Sequence, residues 1–490
     1  MTPKQISKYK DQLSAKNKDY ARNSAYYLGA NPTILQDKNT DEYGNTKKQD
    51  RRIPLPIARK LINTVVGFQF SDVIYSETGN SLSNDMTFNN LVALNNQKID
   101  TKDRTEYGKF LDSIIDYNDN DILTLETAIE CCNHGRGYKI YYFAESMLRC
   151  DTIPANQILP VYTDDLNPAL EKALWYRSKE AVSDKGEPVK TYMLSIYTAA
   201  GFDYYEWSKE DCSDAKLIKE KSMVYDLTNK IPQMVHVIEF NIFRDKKNLI
   251  GHAYGMIDEA DRVISKNMSE ELAGARAAIL RTSMNLDNIE RDAQGKTQMD
   301  RFMDTNISQN MFPEDTMEWI VKNIQDSFVF GVYDRLTKDI FSLTDIPNFS
   351  DGDEWGNNIS GVSAAYRLLG FTYLCNQIFR VFSEGLRAEV DLINAYSDLL
   401  ANNAEVKRTM NYVNIKANRE LPKNLLENSQ IAATLKGILS TQTLYKLFPE
   451  LVDNPKEEQE SSDKEERDSV NALMGAVEEP IEETEPEVVE

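Results

Sequence analysis

The chain has 490 residues, a formal net charge of −22 and an ordinary hydrophobic share of 41%. At about 150 residues per domain, this length predicts roughly two to four domains. No run approaches the roughly 20 apolar residues of a membrane span, and the polar start MTPKQISKYKDQLSAK has no signal-peptide core. We therefore expect the protein to be made and to assemble in the cytoplasm, without a membrane partner.

Cysteine, histidine and charge usage argue against several kinds of site. The five cysteines are odd in number and show no C-x-x-C spacing, so we expect reduced core residues rather than a disulfide framework or a zinc site. The three histidines lie in separate segments, which makes a histidine-based metal site or triad improbable. The negative net charge argues against DNA recognition through a basic patch.

The N-terminal half begins helical and then changes period. Residues 1–28 read as a helical arm, 36–50 as a polar loop, and 107–132 as further helix. In RRIPLPIARKLINTVVGFQF, residues 51–70, two prolines hold the start extended and an apolar helical face follows. From Gly137 to Phe240 the period becomes two, which predicts paired strands. We expect Gly135-Arg136-Gly137 to form the turn into the first of these strands.

Beyond residue 250 the pattern is helix, excursion, helix, loop and long helix. Apolar residues at helical spacing run from 256 to 280, a polar segment follows to about 318, and a second helix spans about 327–343. Residues 345–358 are an acidic loop. Residues 360–400 then predict one helix roughly 60 Å long. Gly370 and Gly385 are the expected bends of that helix, and Gly370 is the first expected hinge.

The same long stretch also fits an ordinary core or coiled-coil helix, although a strict heptad does not hold. After it, YVNIKANRELPKN predicts a strand with a turn, and residues 429–451 predict two short helices. Residues 455–490 are strongly acidic and poor in large apolar groups, which predicts a disordered, solvated tail.

No catalytic apparatus is evident, and we predict no catalytic residue, no cofactor and no metal ligand. The chain lacks a phosphate-binding G-x-x-x-x-G-K-[ST] loop, a G-x-S-x-G elbow and a plausible cysteine–histidine pair. The acidic cluster Asp351, Asp353 and Glu354 could hold a divalent cation, but it lacks the spacing of a calcium loop. A solvated loop is the favoured interpretation.

Four stretches in order carry a family resemblance. They are RRIPLPIARKLINTVVGFQF, YKIYYFAE with IPANQILPVY, SGVSAAYRLLGF, and LPKNLLENSQIAATLKGILSTQTLYKLFPELVDNPKEE. Together they closely resemble portal proteins of tailed bacteriophages, the head-to-tail connectors, of the type found in siphophages of Gram-positive hosts. The resemblance runs over about residues 18–458. It departs mildly at Ser363-Ala364, where the family tends to have Ala-Leu.

The resemblance implies a fold that is mainly α with an α+β wing, assembled as a ring around a central channel. Its parts would be the wing (1–250), stem helix 1 (251–284), clip (285–325), stem helix 2 (326–344), tunnel loop (345–359), long wing helix with return strand (360–420), crown (421–454) and disordered acidic tail (455–490).

The resemblance also implies a non-enzymatic function. A ring, usually dodecameric, would sit at one capsid vertex of the virion and conduct double-stranded DNA during packaging, retention and ejection. The implied partners are the terminase large subunit, a head-completion adaptor, and the major capsid and scaffolding proteins.

An acidic channel lining would repel DNA phosphates and keep the duplex sliding. For the channel and tunnel loop we therefore expect Asp345, Asn348, Asp351, Asp353, Glu354, Asn357 and Asn358. For the stem we expect Asp258, Glu259, Arg262, Lys266, Arg335 and Lys338. The four stem cations could pair between subunits, contact DNA weakly or be ordinary solvated charges.

Two other classes of function compete with the conduit. One is a metal-dependent nucleic-acid enzyme built on Asp351, Asp353 and Glu354. The other is a capsid or scaffold component without a channel, against which the long helix and the following strand and helices argue.

Overall fold

The structure is a computed structural model. It describes residues 1–37, 51–70, 73–77, 106–144, 147–166, 168–182, 188–225, 231–274, 279–282, 317–320, 326–351, 361–396, 413–417, 434, 458–464 and 467. In this part of the chain, no helix is long and apolar enough to cross a membrane.

Along the chain, helices lie before and after a block of strands. They are α1 Pro3–Tyr27, α2 Pro32–Gln36, α3 Ile57–Gln69, α4 Glu106–Tyr117, α5 Asn120–His134, α6 Tyr254–Gly274, α7 Asp326–Leu343, α8 Gly361–Arg367 and α9 Leu369–Ala395.

All strand pairs in the described residues are antiparallel. The strands are β1 Val73–Glu77, β2 Gly137–Ala144, β3 Met147–Ile153, β4 Ile158–Tyr162, β5 Leu170–Val182, β6 Pro188–Thr198, β7 Gly201–Trp207, β8 Lys216–Leu217, β9 Met223–Val224, β10 Val237–Phe240, β11 Ile279–Thr282, β12 Met317–Ile320 and β13 Val413–Ala417. They form a six-stranded sheet in the order β4-β5-β6-β7-β8 with β9 on β7, a three-stranded sheet β10-β2-β3, and the pairs β1-β13 and β11-β12.

Helix α1 lies across the strand block. Its start is fixed by a capping box between Thr2 and Gln5. Ile6, Leu13 and Tyr20, seven residues apart, share one helix face and are buried. They pack into two apolar clusters with the six-stranded and three-stranded sheets. Each such burial stabilises by about 1.5–3 kcal/mol, so the arm is an integral part of the fold.

The main core is organised along α9. Its apolar residues recur at helical spacing, and Phe371, Ile378, Phe382 and Leu386 are buried. They share one cluster with α3, α6, α7 and the three-stranded sheet. The predicted order of helix, strand block and long helix is therefore one packed α+β unit in the described part of the chain.

A buried ion pair fastens α9 to the three-stranded sheet. Lys139 on β2 and Glu389 on α9 are 0% and 1% exposed, and Lys139 Nζ lies 3.1 Å from Glu389 Oε1. The lysine also donates to Asn120 Oδ1 at 2.7 Å and to Thr124 Oγ1 at 2.9 Å. Tyr141 donates to the same glutamate oxygen. Ammonium and carboxylate are thus both hydrogen-bonded, as buried charges require.

The first predicted stem helix is shorter than expected. The sequence predicts helix to about residue 284, but α6 ends at Gly274 and Ile279–Thr282 form strand β11. This strand pairs with β12, so a ladder partner far along the chain overrides the local helical period. Short apolar runs do not distinguish helix from strand by periodicity alone. The interior of the predicted clip between the two strands lies outside the described residues.

Two further expectations need correction. The predicted single helix 360–400 is two helices that meet at Leu368, two residues before the predicted hinge Gly370. Of the tail predicted as disordered, residues 458–464 are helical, in a segment rich in the helix formers Glu, Gln and Lys. In the predicted crown, only residue 434 is described.

Candidate functional site: the paired helices and the acidic loop

Helices α6 and α7, which correspond to the predicted stem, pack against each other. The N-terminal arm holds α6 through two carboxylates one turn apart. Asp258 Oδ1 accepts from Tyr26 Oη at 2.7 Å and from Asn31 Nδ2 at 2.9 Å. Asp261 Oδ2 accepts from the same Asn31 amide at 2.9 Å. Asp258, predicted as a stem charge, therefore faces the arm of its own chain.

An extended strap, residues 51–56, runs along the other side of α6. Its alternate amides donate to one row of helix side chains: Arg51 N to Ser269 Oγ at 2.9 Å, Ile53 N to Ser265 Oγ at 3.0 Å, and Leu55 N to Asp261 Oδ1 at 2.9 Å. The three acceptors are buried. The strap is thus held to the helix much as a strand is held to a neighbouring strand.

The spacing of the strap amides matches the spacing of the acceptor side chains along α6. Two extended residues span about 6.6 Å, and four helical residues rise about 6 Å, so alternate amides meet every fourth side chain. Pro54 and Pro56 have no amide hydrogen, which leaves Ile53 and Leu55 as donors on the bonded edge. The sequence predicts this stretch only as an extended entry to α3. The spaced polar residues within the apolar stripe of α6 were the signal that could have revealed the contact.

Asp261 makes this contact sensitive to pH. Burial raises its pKa from 3.8 to about 6, against the opposing hydrogen bonds from Asn31 and Leu55. Because the folded pKa lies above the unfolded one, the folded state binds the extra proton between about pH 4 and 6. We expect the free energy of unfolding to fall as pH rises through this window and then to level off. Urea unfolding of native chain and D261N at several pH values should show this slope in the native chain and its loss in the variant.

The loop after α7 starts with a left-handed residue. Asp345 has φ 55°, its amide donates to Ser342 O at 3.3 Å, and the Ile346 amide donates to Phe341 O at 3.2 Å. This is a Schellman cap, in which Asp345 takes the position usually held by glycine. Phe341 and Ile346 are both buried in the main core. The cap turns the chain sharply and leaves Asp345 exposed.

The first part of the loop is tied to the body of the protein. Lys60 Nζ donates to Asn348 Oδ1 at 2.8 Å and to Ser350 Oγ at 3.0 Å. Lys338 Nζ lies 3.5 Å from Asp351 Oδ2, and the Asp351 side chain is only 12% exposed. Of the predicted loop residues that the structure describes, Asp345 is therefore the one that presents its carboxylate to solvent.

The remaining predicted residues are stem charges, which the structure describes, and loop residues, which lie outside its described part. Glu259 pairs with Arg262, which also lies 3.5 Å from Asp37, and Arg335 pairs with Asp339 at 3.4 Å. Lys266 is exposed. The other predicted loop residues lie outside the described part of the chain: Asp353, Glu354, Asn357 and Asn358.

The chemistry available here is electrostatic and mechanical. Among the described residues, no group of three His, Cys, Asp or Glu side chains could hold a metal ion. Asp351 belongs to the cluster considered as a cation site, and the Lys338 ammonium lies 3.5 Å from its Oδ2. At Gly370, the predicted hinge, an added methyl group would only touch Asp345 Oδ1 at 3.5 Å.

Comparison with known proteins places this arrangement in a family. No curated protein matches the chain. One similar solved structure is a chain described as "Neck of empty GTA particle computed with C6 symmetry", with 13% identity, a TM-score of 0.38, and coverage of 79% of this chain and 88% of that chain. The family "Phage portal protein, SPP1 Gp6-like" matches residues 6–472. Because this match spans nearly the whole sequence, the chain belongs to the SPP1 Gp6-like family of phage portal proteins.

Proposed function

We propose that this protein forms a dodecameric ring at the unique capsid vertex and conducts double-stranded DNA during packaging, retention and ejection. The observation that carries the proposal is the family match over residues 6–472. The order of paired helices, exposed acidic turn and long helix supports it, because a ring subunit needs rigid elements to present a loop to a central channel.

The acidic turn has a physical role in this proposal. A conduit must let a duplex slide, and every phosphate that a lysine or arginine neutralises adds salt-dependent affinity and therefore friction. Asp345, held outward by the cap of α7, would repel the DNA backbone instead. The rest of the tunnel loop, with Asp353 and Glu354, would extend the same acidic surface into the lumen.

The proposal includes partners and a location. The clip between β11 and β12 would dock the terminase large subunit and later the head-completion adaptor. The wing would contact the major capsid and scaffolding proteins, in a virion assembled in the host cytoplasm. The protein itself would carry no catalytic activity.

Electron microscopy of the purified protein tests the assembly. We expect rings of about twelve subunits with a central hole wide enough for a duplex, since closed cyclic assemblies are the rule for such oligomers. Persistent monomers, even with scaffolding protein present, would count against the ring. Robust Mg²⁺-dependent nuclease turnover that D353A abolishes would favour the enzyme alternative.

Charge reversal at Asp345 tests the conduit. In D345K, each lysine that contacts a phosphate should steepen the salt dependence of DNA retention by about 0.9 in log–log slope. We expect less DNA to be packaged into procapsids at low salt, with recovery at high salt, measured as nuclease-protected DNA. D119K is a matched control because Asp119 is also exposed and left-handed, with φ 48°. Equal packaging by the two variants would remove Asp345 from the channel wall.

A further inference from the structure

A basic cluster lies apart from the acidic turn, where α1 crosses the start of β2. It consists of Lys16 on α1, Arg136 in the turn before β2, and Lys246 in the loop after β10. Arg136 and Lys246 contact one largely buried carboxylate, Glu239, and Lys16 lies close enough to interact electrostatically with all three. The chain as a whole is strongly acidic, so a local cluster of three cations around one carboxylate differs from its average charge.

The backbone is bent to bring two of these cations together. Gly135 has φ 81° and Lys246 has φ 58°. A Cβ at residue 135 would lie 2.3 Å from Lys246 O, so only glycine allows the two turns to touch. A left-handed lysine costs roughly 1–2 kcal/mol. Strain of this kind at a cluster of charged side chains is an observation that points to function.

Glu239 already has its own partners. Its Oε2 lies 2.9 Å from Lys246 Nζ, and its Oε1 accepts from Tyr162 Oη at 2.5 Å. Arg136 Nη1 lies 3.9 Å from the same Oε1 and donates to Tyr162 Oη at 3.3 Å. Most guanidinium donors of Arg136 are therefore not used by the carboxylate.

Lys16 is the third cation of the cluster, and its contacts differ from those of Arg136 and Lys246. It is half-buried and makes no hydrogen bond or ion pair to another described residue. Burial lowers its pKa, and the charges of Arg136 and Lys246 lower it further, with Glu239 acting in the opposite direction. Glu130, on the neighbouring helix α5, accepts from the Ala155 amide at 3.2 Å. Within the cluster itself, three cations thus face the one carboxylate of Glu239, and Lys16 is incompletely solvated.

We propose that Lys16, Arg136 and Lys246 form a binding site for a phosphate oxyanion. A guanidinium fork with two ammonium groups suits a tetrahedral anion of charge near −2, and an excess of two cations favours it over a single carboxylate. Glu239 and Tyr162 position Lys246 and Arg136 for this role. The phosphate is either free inorganic phosphate or part of a DNA backbone. The site stands independently of the conduit proposal, because neither its residues nor its test involves the acidic turn.

Titration of the full-length native chain with inorganic phosphate, at ionic strength matched by chloride, tests the site. We expect K16Q, R136Q and K246Q each to weaken phosphate binding by about tenfold or more, as lost charge-assisted contacts do. K8Q is the matched control, because Lys8 is exposed on the same helix. General stabilisation by phosphate as an excluded salt would persist in every variant and is thereby separated from binding.

A second readout separates binding from a structural role. Without phosphate, K16Q should be as stable as the native chain or more so, because it removes one of three crowded cations. A clear loss of stability in K16Q, or equal phosphate binding by K16Q and K8Q, would overturn the proposal.

A short DNA duplex distinguishes the sources. If the ligand is backbone phosphate, each variant should reduce the salt slope of duplex binding by about 1. If it is free phosphate, duplex binding should be the same in K16Q and K8Q while phosphate binding differs. Variant-dependent binding of a poly-glutamate peptide without phosphate binding would contradict the proposal.

Discussion

Replacing Lys139 with methionine should lower the free energy of unfolding by about 3–5 kcal/mol, because it leaves Glu389 as an uncompensated buried charge. Tyr141 would then be the remaining described donor to the carboxylate, because Glu389 Oε2 lacks a hydrogen-bond partner among the described residues. Asn120 and Thr124 would lose the ammonium that they accept from. Chemical denaturation monitored by tryptophan fluorescence measures the loss.

A double variant separates the contribution of the ion pair from the cost of leaving one charge buried alone. K139M/E389L removes both charges, and we expect it to be more stable than either single variant, since hydrophobic replacement of a buried pair is often neutral. K190M is the control for the substitution itself. Lys190 pairs with Glu180 on exposed strand ends, where such a pair contributes about 1 kcal/mol or less. Similar losses in the free energy of unfolding in K139M and K190M would show that breaking the buried pair is no more destabilising than breaking an exposed one.

Gly385→Ala should lower the free energy of unfolding by about 1–3 kcal/mol, because the added methyl group overpacks the core. A Cβ at residue 385 would lie 2.4 Å from Phe240 Cδ1, and Phe240 is itself fully buried. Either α9 must move away from β10 or the ring must leave its place against Phe382. The sequence predicts Gly385 as a possible bend of this helix. In the structure Gly385 instead lets α9 pack directly against the Phe240 ring of β10.

Gly331→Ala is the matched control, since nothing lies within 4 Å of a Cβ there and the residue is inside α7. Alanine should stabilise that helix by about 0.5–1 kcal/mol. Trimming the ring in G385A/F240L should restore part of the lost stability relative to G385A alone. Thermal and urea unfolding of the native chain and the three variants would check the set, and a stabilised G385A would refute the overpacking argument.

Both predictions concern one junction. Lys139 Nζ lies 5.5 Å from the Phe240 ring centroid, so the buried pair and the glycine contact share a side chain. This junction attaches α9 to the sheet, and the N-terminal end of α9 reaches the acidic turn at Asp345. A change that loosens the junction should therefore also disturb the position of the turn.

The sequence by itself determined the order and type of most elements. The arm, the strand block, α7 and the strand at residues 413–417 follow from local periods, caps and prolines. These signals act over a few residues, so they can be read without knowing the fold. Four ordered stretches also sufficed to identify the portal family, which the match over residues 6–472 confirms.

Only the tertiary structure decided which side chains are bound and which are exposed. Lys139 and Glu389 meet across 250 residues, and the strap finds α6 more than 200 residues further on. Helix α6 ends at Gly274 because β11 has a distant partner in β12. Of the acids in the loop pattern, Asp345 is exposed by a left-handed cap while Asp351 is covered by Lys338. The sequence shows which acidic residues are close to one another along the chain. Long-range packing decides which of those charges is exposed to solvent.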